Sequence, residues 1–223
     1  MNENDTTKLK QFLFPDQVIG PGITELLHTA STAERVCRLK FKENEVSEDI
    51  YLQIHKDRIL VACTNKLDSS PCELKELSEI KRMCLQLFNC EDRQEPYAHG
   101  IPALLMSKRK FKKLKEISSS ASLLGLSEYL VAETGDDIHS AHLARVMKCF
   151  QAEGELRFCT PGVSGWKFQY ASYIKDVCNG WLLRMSSDSS KDWVIALPMT
   201  QVQLCTSVTE WVLNYSPSFL NPL

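Results

Sequence analysis

Between Glu34 and Cys63 the chain takes up a period of two, and that alternation constrains the fold more than any other feature of the sequence. Cys37, Leu39 and Phe41 sit among Arg38, Lys40 and Lys42. Ile50, Leu52 and Ile54 alternate with Tyr51, Gln53 and His55, and Ile59 to Cys63 is a short apolar run. Successive side chains of a strand point to opposite faces, so each of the first two segments lays its apolar residues in one row. Glu43 to Ser47 and Lys56-Asp57 are polar and short, and leave room only for tight reversals. Three adjacent strands joined this way imply an antiparallel meander.

A helix signal follows. In Ser70-Pro71-Cys72-Glu73 the serine can accept from the free N–H at the third helical position, and the glutamate can reach back to the serine's own N–H. Proline at the first helical position loses no hydrogen bond. Leu74, Leu77, Ile80, Cys84, Leu87 and Phe88 then recur at three- and four-residue spacing, which predicts a helix over Pro71 to Asn89. The last quarter repeats this order. Strands are expected over Glu155 to Cys159, Trp166 to Tyr173, Gly180 to Met185 and Trp193 to Leu197, with a turn at Ser186 to Asp192. Thr200 and Gln203 form a second capping pair, before an apolar face of Leu204, Cys205, Val208, Trp211, Val212 and Tyr215.

The middle of the chain reads as helical. Ser107 to Ile117 carries Phe111, Leu114 and Ile117 on one stripe, and Ser122 to Glu133 is stopped at Gly135. Asp136 or Asp137 can cap a third helix, whose face is Leu143, Val146, Met147 and Phe150. The fold class is therefore α+β: antiparallel strand meanders, each followed by a capped amphipathic helix. Two similar small units would then be joined by a helical segment. On that reading residues 1–18 are a flexible tail and 19–106 an α+β unit. Residues 107–135 are a basic helical connector and 136–223 a second α+β unit. The alternative is a single domain over 19–215 with one mixed sheet.

Nothing approaches the roughly 18 apolar residues of a membrane span, so no membrane insertion is expected. Met1 to Lys10 lacks the basic start and apolar core of a secretory signal. The nine cysteines then read as reduced thiols, the state kept in cytosol and nucleus. Cys37, Cys63, Cys84 and Cys205 fall on apolar positions, where a thiol acts as a small hydrophobe.

The motifs of catalysis are incomplete. Asn65-Lys66-Leu67-Asp68 resembles the guanine-reading N-K-x-D of GTPases, but the phosphate-binding G-x-x-x-x-G-K-[Ser/Thr] loop is missing. Gly162-Val163-Ser164-Gly165 has its second glycine one residue too early for a serine-hydrolase elbow, and reads as a turn. His139 and His142 share a helix face, yet no second cluster with metal-ligand spacing accompanies them. No cofactor is implied. Trp166, Phe168 and Tyr170 alternate on one strand, which a sheet core explains better than a stack of nucleic-acid bases.

Charge is unevenly spread. Residues 108–115 hold six cations and no acid, a net of +6, between two stretches of net −4 each. Lys108, Arg109, Lys110, Lys112, Lys113 and Lys115 surround Phe111 and Leu114. Three readings compete: a contact for a nuclear import receptor, a phosphate-backbone contact with nucleic acid, and a solvated helix face. Apolar knots near both ends, Phe12, Leu13 and Phe14 and then Phe219 and Leu220, are candidate docking points for a neighbouring protein. Together these features favour a non-enzymatic protein–protein interaction or scaffold subunit of an intracellular complex, in the nucleus, the cytoplasm or both. A nuclear nucleic-acid-binding factor is the first alternative. An enzyme whose site assembles from scattered residues is the second.

Overall fold

The computed structural model describes residues 3–15, 23–24, 27–28, 30–63, 73–90, 103–163, 165–177, 180–186 and 192–214. The first three strands lie where the alternation predicts: β1 (Arg35–Glu43), β2 (Val46–His55) and β3 (Arg58–Cys63). They pair antiparallel in sequence order. The two reversals take positive φ at Asn44 and Lys56, each 54°, the hand that matches the twist of a hairpin. A fourth strand, β4 (Glu73–Glu76), adds to the free edge of β3.

That strand corrects the expected start of the first helix. Glu73 belongs to β4 rather than to a capping box, and Leu74 is 60% exposed instead of facing a core. A 3₁₀ turn at Leu77–Glu79 follows, and the helix begins only at Ile80. Pairing with β3 prevails because it satisfies backbone groups at an open sheet edge, and the Leu77 N–H bonding to the Asp57 carbonyl at 2.9 Å closes the turn. Ser70 to Cys72 and the N-K-x-D segment lie outside the described residues.

Numbered in chain order, the helices whose bounds fall within the described residues are α1 (Glu3–Leu13), α2 (Ile80–Leu87), α3 (Lys108–Ser118), α4 (Leu123–Thr134), α5 (Asp137–Cys149) and α6 (Gln201–Asn214). The short strand β5 (Leu104–Met106) precedes α3. The second meander is β6 (Ala152–Gly162), β7 (Gly165–Lys175), β8 (Gly180–Met185) and β9 (Val194–Pro198). Local caps set the helix starts. Ser107, Ser122 and Asp136 accept from Lys110, Gly125 and His139 respectively. Gly135, at φ 74°, ends α4. At α6 the capping pair is reciprocal: Gln203 N–H donates to Thr200 Oγ1 at 3.1 Å and Thr200 N–H to Gln203 Oε1 at 2.8 Å.

The two meanders join edge to edge through β1 and β6, and among the described residues they form one nine-stranded sheet of order β4-β3-β2-β1-β6-β7-β8-β9-β5. Strand pairing therefore runs unbroken between the two α+β units drawn from the sequence. At the junction Leu39 faces Leu156, and Arg38 faces Arg157. One face of the sheet is covered by α2 and α6. Cys37, Leu39 and Phe41 of β1 pack there with Leu156 and Phe158 of β6, against Cys84, Phe88, Val208 and Trp211. The Phe158 and Trp211 rings are 4.3 Å apart.

The opposite face carries two separate coverings. The α3–α5 layer packs Phe111, Leu114, Leu130 and Leu143 on Trp181, Leu183 and Val194. The α1 helix packs Leu9, Leu13 and Phe14 on Val36, Tyr51 and Cys159. The expected tail over residues 1–18 is thus a docked helix at Glu3–Leu13. Its apolar residues would be exposed if it detached, and its C-terminal carbonyls find cations on the sheet. Arg157 donates to Phe12 O at 2.9 Å and Arg38 to Leu13 O at 2.7 Å. The two guanidiniums also stack on the rings they anchor, Arg38 5.0 Å from Phe14 and Arg157 5.7 Å from Phe12.

The same device recurs. Arg35 donates to Val212 O at 2.6 Å, near the end of α6. Lys148 donates to Ser118 O, Ser119 O and Ala121 O at 2.8–3.0 Å, beyond the end of α3. Gln201 donates to Phe88 O after α2. Helix ends thus report to strands and helices far away in sequence, which ties the layers together.

Candidate functional site

Beside the α3–α5 layer, on the same face of the sheet, lies a cleft of about 510 Å³, floored by β1, β6 and β7. Alternation on the strands decides its floor. Lys40 and Lys42 of β1 point to this face because Cys37, Leu39 and Phe41 point to the other. Antiparallel register sets Lys40 opposite Glu155 and Lys42 opposite Glu153. On β7, Tyr170, Ser172 and Ile174 share the face for the same reason. Lys115 from α3 and Met147 and Phe150 from the end of α5 complete the walls.

The cleft is polar on the β1 side and apolar on the α5 side. Phe150 remains 47% exposed there, beside buried Met147 and Leu183. Glu155 is held by Arg157 at 2.9 Å. Burial, with Glu155 adding to it, pushes the Tyr170 hydroxyl up to about 12, so it stays protonated near neutrality and can donate. Ser172 is sunk in the floor, and its Oγ is buried without a hydrogen-bond partner.

The basic block folds as expected for a helix, with Phe111 and Leu114 in the core and the charges around them. Lys110 pairs with Glu133 at 2.5 Å and the Lys108 N–H donates to Asp192 at 2.8 Å. Lys113 lies over the Tyr129 ring and Lys115 over Phe111. Arg109 and Lys112 are exposed, and Lys115 is the member that reaches the cleft. An import receptor reading the block as an extended peptide would have to pull Phe111 and Leu114 out of the core. The N-terminal knot is turned inward: Leu13 and Phe14 are buried, and Phe12 is half-buried, 4.9 Å from Phe168. Phe219 and Leu220 lie outside the described residues.

The remaining motifs take structural places. Gly162 and Gly165 flank the β6–β7 reversal. Trp166 and Phe168 pack on the α1 side. His139 bonds through Nδ1 to Asp136 at 2.6 Å. Among the described residues no group of three His, Cys, Asp or Glu could hold a metal ion. The described cysteines form no disulfide. Cys37 and Cys159 have their thiols pushed up by burial. Cys84 is pushed up by its hydrogen bond with Cys205 and then by burial. Such thiols stay protonated and are poor nucleophiles. Cys63 is the exception to the expected burial, exposed at the end of β3. No described helix is long and apolar enough to cross a membrane.

The sequence signal for the cleft was faint. Lys40 and Lys42 appear only as the polar phase of a strand, and nothing local links them to Lys115, Phe150 or Ser172.

No protein-family model and no curated protein sequence matches the chain. The fold does resemble a solved structure, that of the Mycobacterium tuberculosis type VII secretion system chaperone EspG5 in complex with the PE25–PPE41 dimer. The TM-score is 0.55 at 10% sequence identity, over 94% of this chain and 84% of that one. At that identity the likeness is one of fold.

Proposed function

We propose that this chain is a non-enzymatic binding protein that holds another protein, as a chaperone or scaffold subunit does. The observation that carries the reading is the fold likeness, which extends over nearly the whole chain to a chaperone solved with a bound protein dimer. Two features support it. The buried thiols are chemically quiet. The exposed cations of α3, Arg109 and Lys112, offer a long-range attraction for an acidic surface. The test is affinity capture of the tagged chain, followed by reconstitution from purified components. A stoichiometric complex that survives gel filtration is the expected result. A chain that elutes alone as a monomer, with no component reconstituting, would overturn the reading.

A further inference from the structure

We propose that the cleft beside the α3–α5 layer binds a small amphipathic anion, an alkyl or aryl body carrying one carboxylate-like acid group. The proposal goes beyond the protein-binding reading and stands independently of it. It rests on size, on the division of chemistry within the cleft and on one unsatisfied group.

The volume of about 510 Å³ falls within the roughly 300–1,000 Å³ of small-ligand sites. The α5 side offers Met147 and Phe150, with Ile174 and Leu183 beneath, and Phe150 keeps nearly half its surface in water. An apolar body laid there would bury that surface. The opposite side carries Lys40 and Lys42, with Lys115 reaching in from α3. Two carboxylates also line it. Glu155 is engaged by Arg157 at 2.9 Å. Glu153, opposite Lys42, leaves the ammonium groups in excess. The lining thus favours an acid head over a basic one.

The floor supplies the fixed contact. Ser172 is 7% exposed, and its Oγ has no hydrogen-bond partner. A buried hydroxyl left this way is costly, and a ligand oxygen reaching it would offset that cost. The Tyr170 hydroxyl beside it is a donor at neutral pH. The bound acid would lie among ammonium, phenol and hydroxyl donors, with its body on the α5 wall. These groups come from β1, β7, α3 and α5, so the site exists only in the folded chain.

The full chain is titrated with 8-anilinonaphthalene-1-sulfonate, an apolar body with one fixed negative charge, and its fluorescence is followed. One saturable site with blue-shifted emission is expected. Octanoate should displace the dye, and octylammonium of equal length should not. K40E/K42E should bind at least about tenfold more weakly, the loss of about one hydrogen bond to a charged group. F150E should abolish binding, because it places a carboxylate on the apolar wall. Far-UV circular dichroism checks the fold of each variant, and the exposed Lys115→Glu serves in place of K40E/K42E if that pair does not fold. Absence of a saturable site overturns the proposal, as does equal displacement by octylammonium or unchanged binding in the charge-reversed chain and F150E. Displacement by poly-glutamate without displacement by octanoate would also overturn it, because charge alone would then be read.

Discussion

Replacing Arg38 by leucine removes a cation that serves three groups at once. Its Nε and Nη2 meet Asp49 at 2.8 and 2.5 Å, its Nη1 donates to the Leu13 carbonyl at 2.7 Å, and its plane lies over Phe14. Leucine keeps much of the packing but leaves the Asp49 carboxylate, whose side chain is 2% exposed, without its counter-ion. Breaking a buried pair in this way costs about 3–5 kcal/mol. The lost contact with the end of α1 adds about 1 kcal/mol. Against a typical total of about 5–15 kcal/mol, the loss is large. At about 2–4 °C per kcal/mol for a chain of this size, Tm should fall by about 8–24 °C.

The double variant R38L/D49L separates the two effects. An apolar pair in place of a buried ion pair is often neutral, so it should recover most of the stability. It should still lack the contact with α1. Urea unfolding gives the free energies, and hydrogen exchange of the amides in Glu3–Leu13 reports on α1. Those amides should exchange faster in both variants. A cost below about 1 kcal/mol for R38L, or a double variant as unstable as the single one, would refute the reasoning.

Three further outcomes are expected. In Gly180→Ala the added methyl would overlap the Tyr173 hydroxyl and the Met199 carbonyl, which hydrogen-bond to each other at 3.2 Å. Overpacking against backbone should cost about 1–3 kcal/mol by urea unfolding. With a thiol reagent under native conditions, exposed Cys63 and Cys149 should label first, and buried Cys37, Cys84 and Cys159 only on unfolding, as mass spectrometry of the peptides would read. Tyr170 should ionise near pH 12, followed by phenolate absorbance and its loss in Tyr170→Phe. Its raised folded pKa makes a stability contribution that is complete below the ordinary tyrosine value of about 10 and lost as pH rises towards 12.

How much could be read without the structure depended on how far apart the deciding groups lie in sequence. The cap of α6 was legible because Thr200 and Gln203 both sit within one turn. Ser107, Ser122 and Asp136 were legible for the same reason. The pattern at Ser70-Pro71-Cys72-Glu73 was equally local, but Glu73 to Glu76 had a competing partner in the edge of β3, invisible until that strand has a place. The α1 helix was missed because its hold comes from elsewhere: Leu9 and Leu13 need Val36 and Cys159 beneath them, and its last carbonyls need Arg38 and Arg157. The cleft drew its residues from β1, β6, β7, α3 and α5, so no window of sequence contained it.

By itself the sequence determined the local periods: which segments are strands, which faces are apolar, and where helices with nearby caps begin. These follow from backbone geometry and from side chains within a few residues. Only the tertiary structure decided which edges meet. A strand's alternation names its two faces but not its neighbours, and β1 could have ended the first meander as a free edge. Its pairing with β6 sets Leu39 on Leu156 and Lys40 on Glu155, and makes one sheet of two meanders. That sheet is wide enough for two helical coverings on one face, and it sets β1, β6 and β7 side by side as the floor of the cleft.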